Sequence, residues 1–316
     1  MNLLLIGMSR FARRRVLPAV AALDEVTTLH VASAHADPDE PVPKAGRRYR
    51  DWRTALGDTD PGLVYVSSVN SDHAEAIRYA LDHGHHVVVD KPALPDRATA
   101  AEVVARARSA GLVVAEATCY SYHPMFAEVG PAGLGAELTQ AVAVFTPPVP
   151  AGDFRHDRHR GGGALLDTGP YLASLGRVLW GLEPDDVHVV VGDRTPDGLE
   201  LSYGALARYP GGRTLVGQFG FTTTYRNSLQ LLGPGLSVDI ERPFSAPPDM
   251  APEIRVNTRG EQAVRRVEPA DSLRIFLTEV LRAVRDGSRE FDAPLLSDAR
   301  TRDRLTRAAA VRNRRA

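Results

Sequence analysis

Over the first 118 positions, short aliphatic runs alternate with amphipathic stretches. The runs fall at 2–6, 26–32, 62–66, 86–89 and 111–115. Residues rich in Val, Ile and Leu without polar alternation predict strands buried on both faces. Between them, 13–23, 52–56, 71–83 and 98–110 have helical spacing, with Ala74, Ile77, Ala80 and Leu81 on one face of the third. Strands alternating with helices of this length predict a parallel, doubly wound α/β sheet. After Glu116 the period changes to two. Stretches 137–145, 187–191, 199–209, 214–223, 228–232 and 236–240 alternate apolar with polar and are separated by Gly, Pro and Asp turns. They predict one large, mostly antiparallel open sheet, with helices over 165–180, 272–286 and 297–312 completing an α+β domain. The division falls at 118/119, giving domains 1–118 and 119–316. One face of so large a sheet is left uncovered in a single copy, so a homodimer or homotetramer through it is expected.

Composition narrows the function classes. The chain has 316 residues, 43% hydrophobic and 24% charged, with a net charge of −1. There is no global field for nucleic acid or an acidic membrane surface, so the expected partner is a small-molecule substrate. The single Cys119 leaves no internal disulfide framework and fits a reducing, cytoplasmic setting. No apolar run approaches the ~20 residues of a membrane span. The first strand begins without a charged segment before it, so no signal peptide is expected. Residues 312–315 are read as a basic, solvated helix end.

Charge chemistry then picks out one position. Of 38 Lys and Arg residues only Lys44 and Lys91 are lysines. Lysine is a compact point charge that takes part in proton chemistry when desolvated, which arginine does not. Lys91 follows Val87-Val88-Val89-Asp90 and precedes Pro92, which cannot extend a ladder. A charged amine at the carboxyl end of a buried parallel strand lies on the ligand edge of an open α/β sheet.

A second pattern starts at the N-terminus. The first strand runs into Gly7-x-Ser9-x-x-Ala12, around Arg10 and Phe11, where a dinucleotide-binding chain carries G-x-G-x-x-G. The second strand ends at Ala32-Ser33-Ala34-His35 with no immediate acid. Ser33, His35 and Arg10 suit a ribose 2′-phosphate, so NADP is expected ahead of NAD. In the second domain, Gly161-Gly162-Gly163 opens a helix that puts Asp167 and Tyr171 on one face. Tyr171 beside a lysine is a candidate proton donor. The run Phe154 to Arg160, with Arg155 and Arg158, reads either as a solvated loop or as a clamp for an anionic group. The histidines at 83, 85, 86, 156 and 159 lack ligand spacing, so no metal is expected.

These residues together resemble the Gfo/Idh/MocA oxidoreductases (glucose–fructose oxidoreductase, inositol dehydrogenase and relatives). The resemblance spans nearly the whole chain. The family's A-G-K-H-V-x-x-E-K-P is similar to residues 83–92, its P-N-x-x-H to 69–73, and its G-G-G-A-L-x-D-x-G to 161–169. It implies cofactor contacts at Ser67, Asn70, His73, Asp90 and Lys91. Tyr171, four residues after Asp167, resembles the dihydrodiol dehydrogenase and nucleotide-sugar 3-ketoreductase branches. There Lys and Tyr form the catalytic pair, here Lys91 and Tyr171 with Asp167. Resemblance to the sugar ketoreductases also implies substrate contacts at Tyr120, His123, Arg155 and Tyr225. The expected activity is hydride transfer between NADP and a keto-sugar, one linked to a nucleotide. The alternatives are reduction of another small C=O or C=N, and a non-catalytic dinucleotide sensor.

Overall fold

The computed structural model describes residues 1–37 and 39–312, so residues 313–315 of the expected basic helix end lie outside the described residues. Two compact units are present. One comprises Met1–Ala117 with Leu273–Leu296, and the other Thr118–Ser272 with the chain from Ser297 onward.

In the first unit, β1 (Asn2–Ile6) leads through a π-helical segment, Ala12–Val16, into α1 (Leu17–Ala21). Then follow β2 (Thr28–Ala32), β3 (Ala45–Tyr49), α2 (Trp52–Asp58), β4 (Leu63–Val66), α3 (His73–Asp82), β5 (His86–Val89), α4 (Arg97–Ser109) and β6 (Val114–Glu116). The six strands pair in the order β3-β2-β1-β4-β5-β6, every pair parallel. This is the doubly wound dinucleotide-fold order, whose ligand crevice lies outside the carboxyl ends at the β1/β4 reversal. Every residue of β4 is buried, as its unbroken apolar run requires. Asp51 and Asp96 cap α2 and α4 by accepting the N–H groups of Thr54 and Thr99, each at 2.8 Å.

The single division expected at 118/119 misplaces one segment, because Leu273–Leu296 packs with the first unit. Polar ties make the link. Arg289 donates to the Leu112 carbonyl at 2.6 Å, and Arg108 donates to Asp292 at 2.6 Å.

The second unit begins with two single-turn helices, α5 (Met125–Glu128) and α6 (Pro131–Leu134). It continues with β7 (Gln140–Phe145), α7 (Ala164–Trp180), β8 (Asp186–Val191), β9 (Ser202–Tyr209), β10 (Arg213–Gly220), β11 (Asn227–Gly233), β12 (Leu236–Glu241), β13 (Glu253–Thr258) and β14 (Glu261–Arg266); α8 (Ser272–Asp286) then belongs to the first unit from Leu273 on, and α9 (Asp292–Arg312) passes from the first unit to the second after Leu296. Its eight-stranded sheet runs β14-β13-β12-β11-β7-β10-β9-β8, antiparallel except where β7 meets β10. Alternation turns Ala141, Ala143, Leu215, Phe219, Tyr203 and Tyr209 inward to one core with Leu172, Leu175 and Leu179 of α7. Arg177 of α7 holds Asp298 of α9 through two hydrogen bonds, of 2.8 and 2.7 Å.

The approach of α7 to the sheet depends on Gly176. A Cβ there would lie 2.2 Å from the Tyr209 ring, which stacks edge-on against Trp180. Gly176→Ala is therefore expected to destabilise by about 1–3 kcal/mol, against the usual helix preference for alanine. A urea midpoint equal to or above wild type would contradict this packing.

Candidate active site

The carboxyl edge of the parallel sheet is assembled by consecutive backbone bonds. Gly7 N–H donates to Ala32 O, Ser33 N–H to Tyr49 O, and Ser67 N–H to Ile6 O, at 2.9, 2.9 and 2.7 Å. The ends of β1, β2, β3 and β4 thus stand side by side. Gly7 has φ +89°, and a Cβ on it would lie 2.5 Å from the Ser67 carbonyl oxygen, so only glycine fits this turn. The next motif position carries Ser9, whose side chain folds back into the turn. Its Oγ accepts the Ala12 N–H at 2.9 Å and shares a 2.7 Å hydrogen bond with Ser67 Oγ.

That bond continues inward. Ser67 Oγ donates to Asp90 at 2.5 Å and Tyr65 Oη donates to it at 2.8 Å. The glycine turn is in this way tied to the residue preceding Lys91. Desolvation raises the Asp90 pKa, opposed by the two hydroxyl donors and by the charges of His73 and Lys91. Ser67 and Asp90, expected as cofactor contacts, also support the turn and the Lys91 strand end. His73 has the same character. It is fully buried, with Nδ1 2.9 Å from Pro92 O and Nε2 3.2 Å from Ser68 O, so it pins two loops of the edge. Asn70 opens the short 3-10 turn before α3, and Lys91 is half-buried.

At the ends of β2 and β3 lies a cavity of about 180 Å³ lined by Ser33, Asp37, Arg48, Tyr49 and Arg50. Of the residues expected around a 2′-phosphate, Ser33 lines it; Arg10 and His35 do not.

The second unit brings together Tyr171, Asp167 and Arg155. Gly162 allows the 154–160 loop to lie against the start of α7, where a Cβ would meet the Arg155 carbonyl oxygen at 2.6 Å. Gly163 (φ +107°) returns an N–H to that same oxygen at 2.9 Å. The loop is thereby placed so that Arg155 donates through Nε to Asp167 and through Nη1 to Asp153, both at 3.0 Å. Arg155 is thus paired with two carboxylates and supports Asp167. Arg158 and Arg160 of the same loop are exposed.

One turn beyond Asp167, the Tyr171 ring sits among Phe145, Phe244 and Tyr120 at centroid distances of 4.7, 5.2 and 5.8 Å. Burial and then the charge of Asp167 hold its phenol well above the ordinary tyrosine value, with Arg155 opposing. Within this unit Asp167 therefore keeps Tyr171 protonated. Tyr120 and His123, expected at the substrate, are buried. Tyr120 Oη bonds Ser174 Oγ at 2.7 Å, and His123 Nδ1 accepts the Met125 N–H at 3.2 Å. Both stand beside the aromatic cluster of the second unit. Tyr225 is exposed, with Arg242 over its ring at 5.7 Å and Asn227 donating to its Oη at 3.3 Å. Arg242 lies in the stretch 241–248, which also resembles the sugar ketoreductases, but it is not among the residues expected at the substrate.

Among the described residues no three His, Cys, Asp or Glu converge to hold a metal ion, and no helix is long and apolar enough to cross a membrane.

Known proteins share this fold. A 3-ketoreductase variant from Actinomadura kijaniata, solved with TDP-benzene and NADP, superposes with a TM-score of 0.92 at 26% identity over 98% of both chains. A dTDP-3,4-didehydro-2,6-dideoxy-alpha-D-glucose 3-reductase of the same organism is 32% identical over 87% of this chain and 86% of its own. The enzyme of that name from Saccharopolyspora spinosa is 28% identical over 93% and 90%. Residues 1–118 match the oxidoreductase family with an NAD-binding Rossmann fold, and 133–238 the GFO/IDH/MocA C-terminal domain. With both halves matched and the glycine turn, the Lys91 strand end and the Asp167–Tyr171 helix each in place, the chain belongs to the Gfo/Idh/MocA oxidoreductases.

Proposed function

We propose that this oxidoreductase uses NADP to reduce a keto-sugar carried on a nucleoside diphosphate. The observation that carries the reading is the Tyr171 phenol, kept protonated by burial and by Asp167 four residues before it. A group of that kind is a proton donor to a carbonyl oxygen as negative charge develops there. The relatives that reduce dTDP-linked sugars, and the related structure holding TDP-benzene and NADP, support the substrate and cofactor classes.

The residues fit a dinucleotide. The Gly7 turn has no room for a side chain, and at the start of the helix that follows Ser9 caps the Ala12 N–H while the Arg10 and Phe11 N–H groups precede any intrahelical acceptor, which suits a pyrophosphate. Gly7, Ser9, Arg10, Phe11 and Ala12 would hold that group. Nicotinamide, when bound, supplies the hydride. Tyr171 gives its proton to the substrate oxygen. The Lys91 ammonium stabilises the charge forming there and returns Tyr171 towards neutrality after transfer. Asp167, fixed by Arg155, orients Tyr171. Arg158 and Arg242 are the cations available for a diphosphate. Val142, Leu206 and Val216 form an exposed cross-strand row on the open face of the large sheet, which supports association of copies there.

The test is NADPH oxidation with a TDP-linked 3-keto sugar and with the same sugar free of nucleotide. The linked sugar is expected to be turned over with the lower KM, and Arg158→Ala should raise that KM by about 10-fold or more, as loss of a charge-assisted contact does. Turnover of the free sugar alone, or of neither, would remove the substrate assignment.

A further inference from the structure

The second-strand end of this chain offers no arginine, yet the proposed cofactor carries a dianionic 2′-phosphate. We propose that the phosphate is recognised from the neighbouring strand, by Arg48 and Arg50 of β3 and its end together with Ser33. The inference rests on the NADP reading above and names the residues that would make the choice.

The geometry is local to one sheet edge. In this fold the pyrophosphate lies at the β1 turn and the adenosine ribose at the end of β2. Gly7 and Ser33 occupy those places, and the Ser33 N–H to Tyr49 O bond puts the end of β3 one strand further along. The cavity there is walled by Ser33 on one side and by Arg48, Tyr49 and Arg50 on the other. Arg50 is exposed and makes no hydrogen bond or ion pair among the described residues. Arg48 has a second task. It donates to the backbone carbonyls of Asp37 and Glu40, so it fastens the loop after β2 around the cavity. The Glu40 carboxylate is occupied by Arg13, at 2.7 and 3.0 Å. The Asp37 carboxylate also faces the cavity and accepts the Asp39 N–H at 2.9 Å. It is the group that would favour NAD, because it can accept ribose hydroxyls and repels a phosphate. Two guanidinium groups against one carboxylate leave the rim net positive. Guanidinium forks match phosphate geometry, which a single serine does not.

Direct binding tests this without turnover. NADPH and NADH are titrated by nicotinamide fluorescence, and 2′,5′-ADP and ADP by calorimetry. Wild type is expected to prefer NADPH and 2′,5′-ADP. Arg50→Ala should weaken both by about 10- to 100-fold, the weight of one charge-assisted hydrogen bond, with NADH and ADP held within about two-fold. Arg50→Glu should reverse the preference towards NADH. Arg48→Ala should lose NADPH affinity by at least a similar factor and, because Arg48 also fastens the loop after β2, is read beside Arg50→Ala, whose unchanged NADH binding reports an intact fold. If wild type prefers NADPH and the Arg48→Ala/Arg50→Ala variant keeps that preference, the assignment to β3 is wrong and the NADP reading survives. If wild type shows no preference, both are wrong. Equal losses for NADPH and NADH in Arg50→Ala would also overturn the inference, since the residue would then support the fold and not the phosphate.

Discussion

Tyr171→Phe is expected to lower kcat/KM for keto-sugar reduction by about 10²–10⁴, the usual weight of a positioned proton donor. The substitution removes one oxygen atom. The ring keeps its neighbours Phe145, Phe244 and Tyr120, so the aromatic cluster and the fold should stand. Lys91→Met is expected to cost a similar factor, and the double variant little more than either single one, because members of one proton-transfer unit are strongly non-additive. The pH profile carries a sign. Burial and Asp167 raise the Tyr171 pKa, so the donor form should persist to above pH ~10, with no tyrosine limb below that. Asp167→Asn removes a charge that raises it and should bring an alkaline limb downwards. Tyr171→Phe with turnover within a few-fold of wild type would end the assignment.

Alkaline unfolding should be the second large effect. Tyr120, Tyr203 and Tyr209 are buried in the second unit, and burial pushes all three phenols above the ordinary value. Their folded pKa values exceed the unfolded ~10, so the stability they confer is complete below pH ~10 and is lost as pH rises towards the folded values. Above pH ~10 the unfolded chain holds fewer protons than the folded one. Each phenol then costs up to ~1.4 kcal/mol per pH unit, about 4 kcal/mol per unit for the three. Tyr171 is raised in the same way and adds to this slope, while the two lysines add little and most ion pairs among the described residues are built on arginine, which keeps its proton. Urea midpoints at pH 9, 10.5 and 11.5 measure the effect, and Tyr203→Phe should reduce its slope by about one quarter. A flat midpoint across that range would mean that these phenols ionise in place.

Much of this was legible in the residues. Strands that the fold buries on both faces announced themselves as aliphatic runs, as in Leu63–Val66 and His86–Val89. The helix over Ala164–Trp180 was legible from its leucines although it contains Pro170, its seventh residue, which forgoes the intrahelical bond to the Leu166 carbonyl. Three strands were missed. β3, β13 and β14 are edge or near-edge strands with arginines and glutamates on exposed positions, so their alternation is weak and their apolar content low. Missing β3 also hid Arg48 and Arg50, since only pairing with β2 brings them beside Ser33. The protein partners of Arg155, Tyr120 and His123 were illegible for another reason. Motif position marks that a residue belongs to a site, but only three-dimensional partners decide whether its polar atoms face the ligand or the protein.

The return of Leu273–Leu296 to the first unit constrains how the chain comes into being. On the ribosome, N-terminal units generally fold as they emerge. Here the strands that carry Gly7 and Lys91 are synthesised first, yet the helix that completes their unit arrives only after the whole large sheet has been made. The nascent Rossmann layer must wait, with apolar surface unfilled, through the synthesis of about half the protein. A fragment ending near residue 118 is frozen in that waiting state. It should need α8, supplied as a separate segment or a fusion, before it behaves as a stable body.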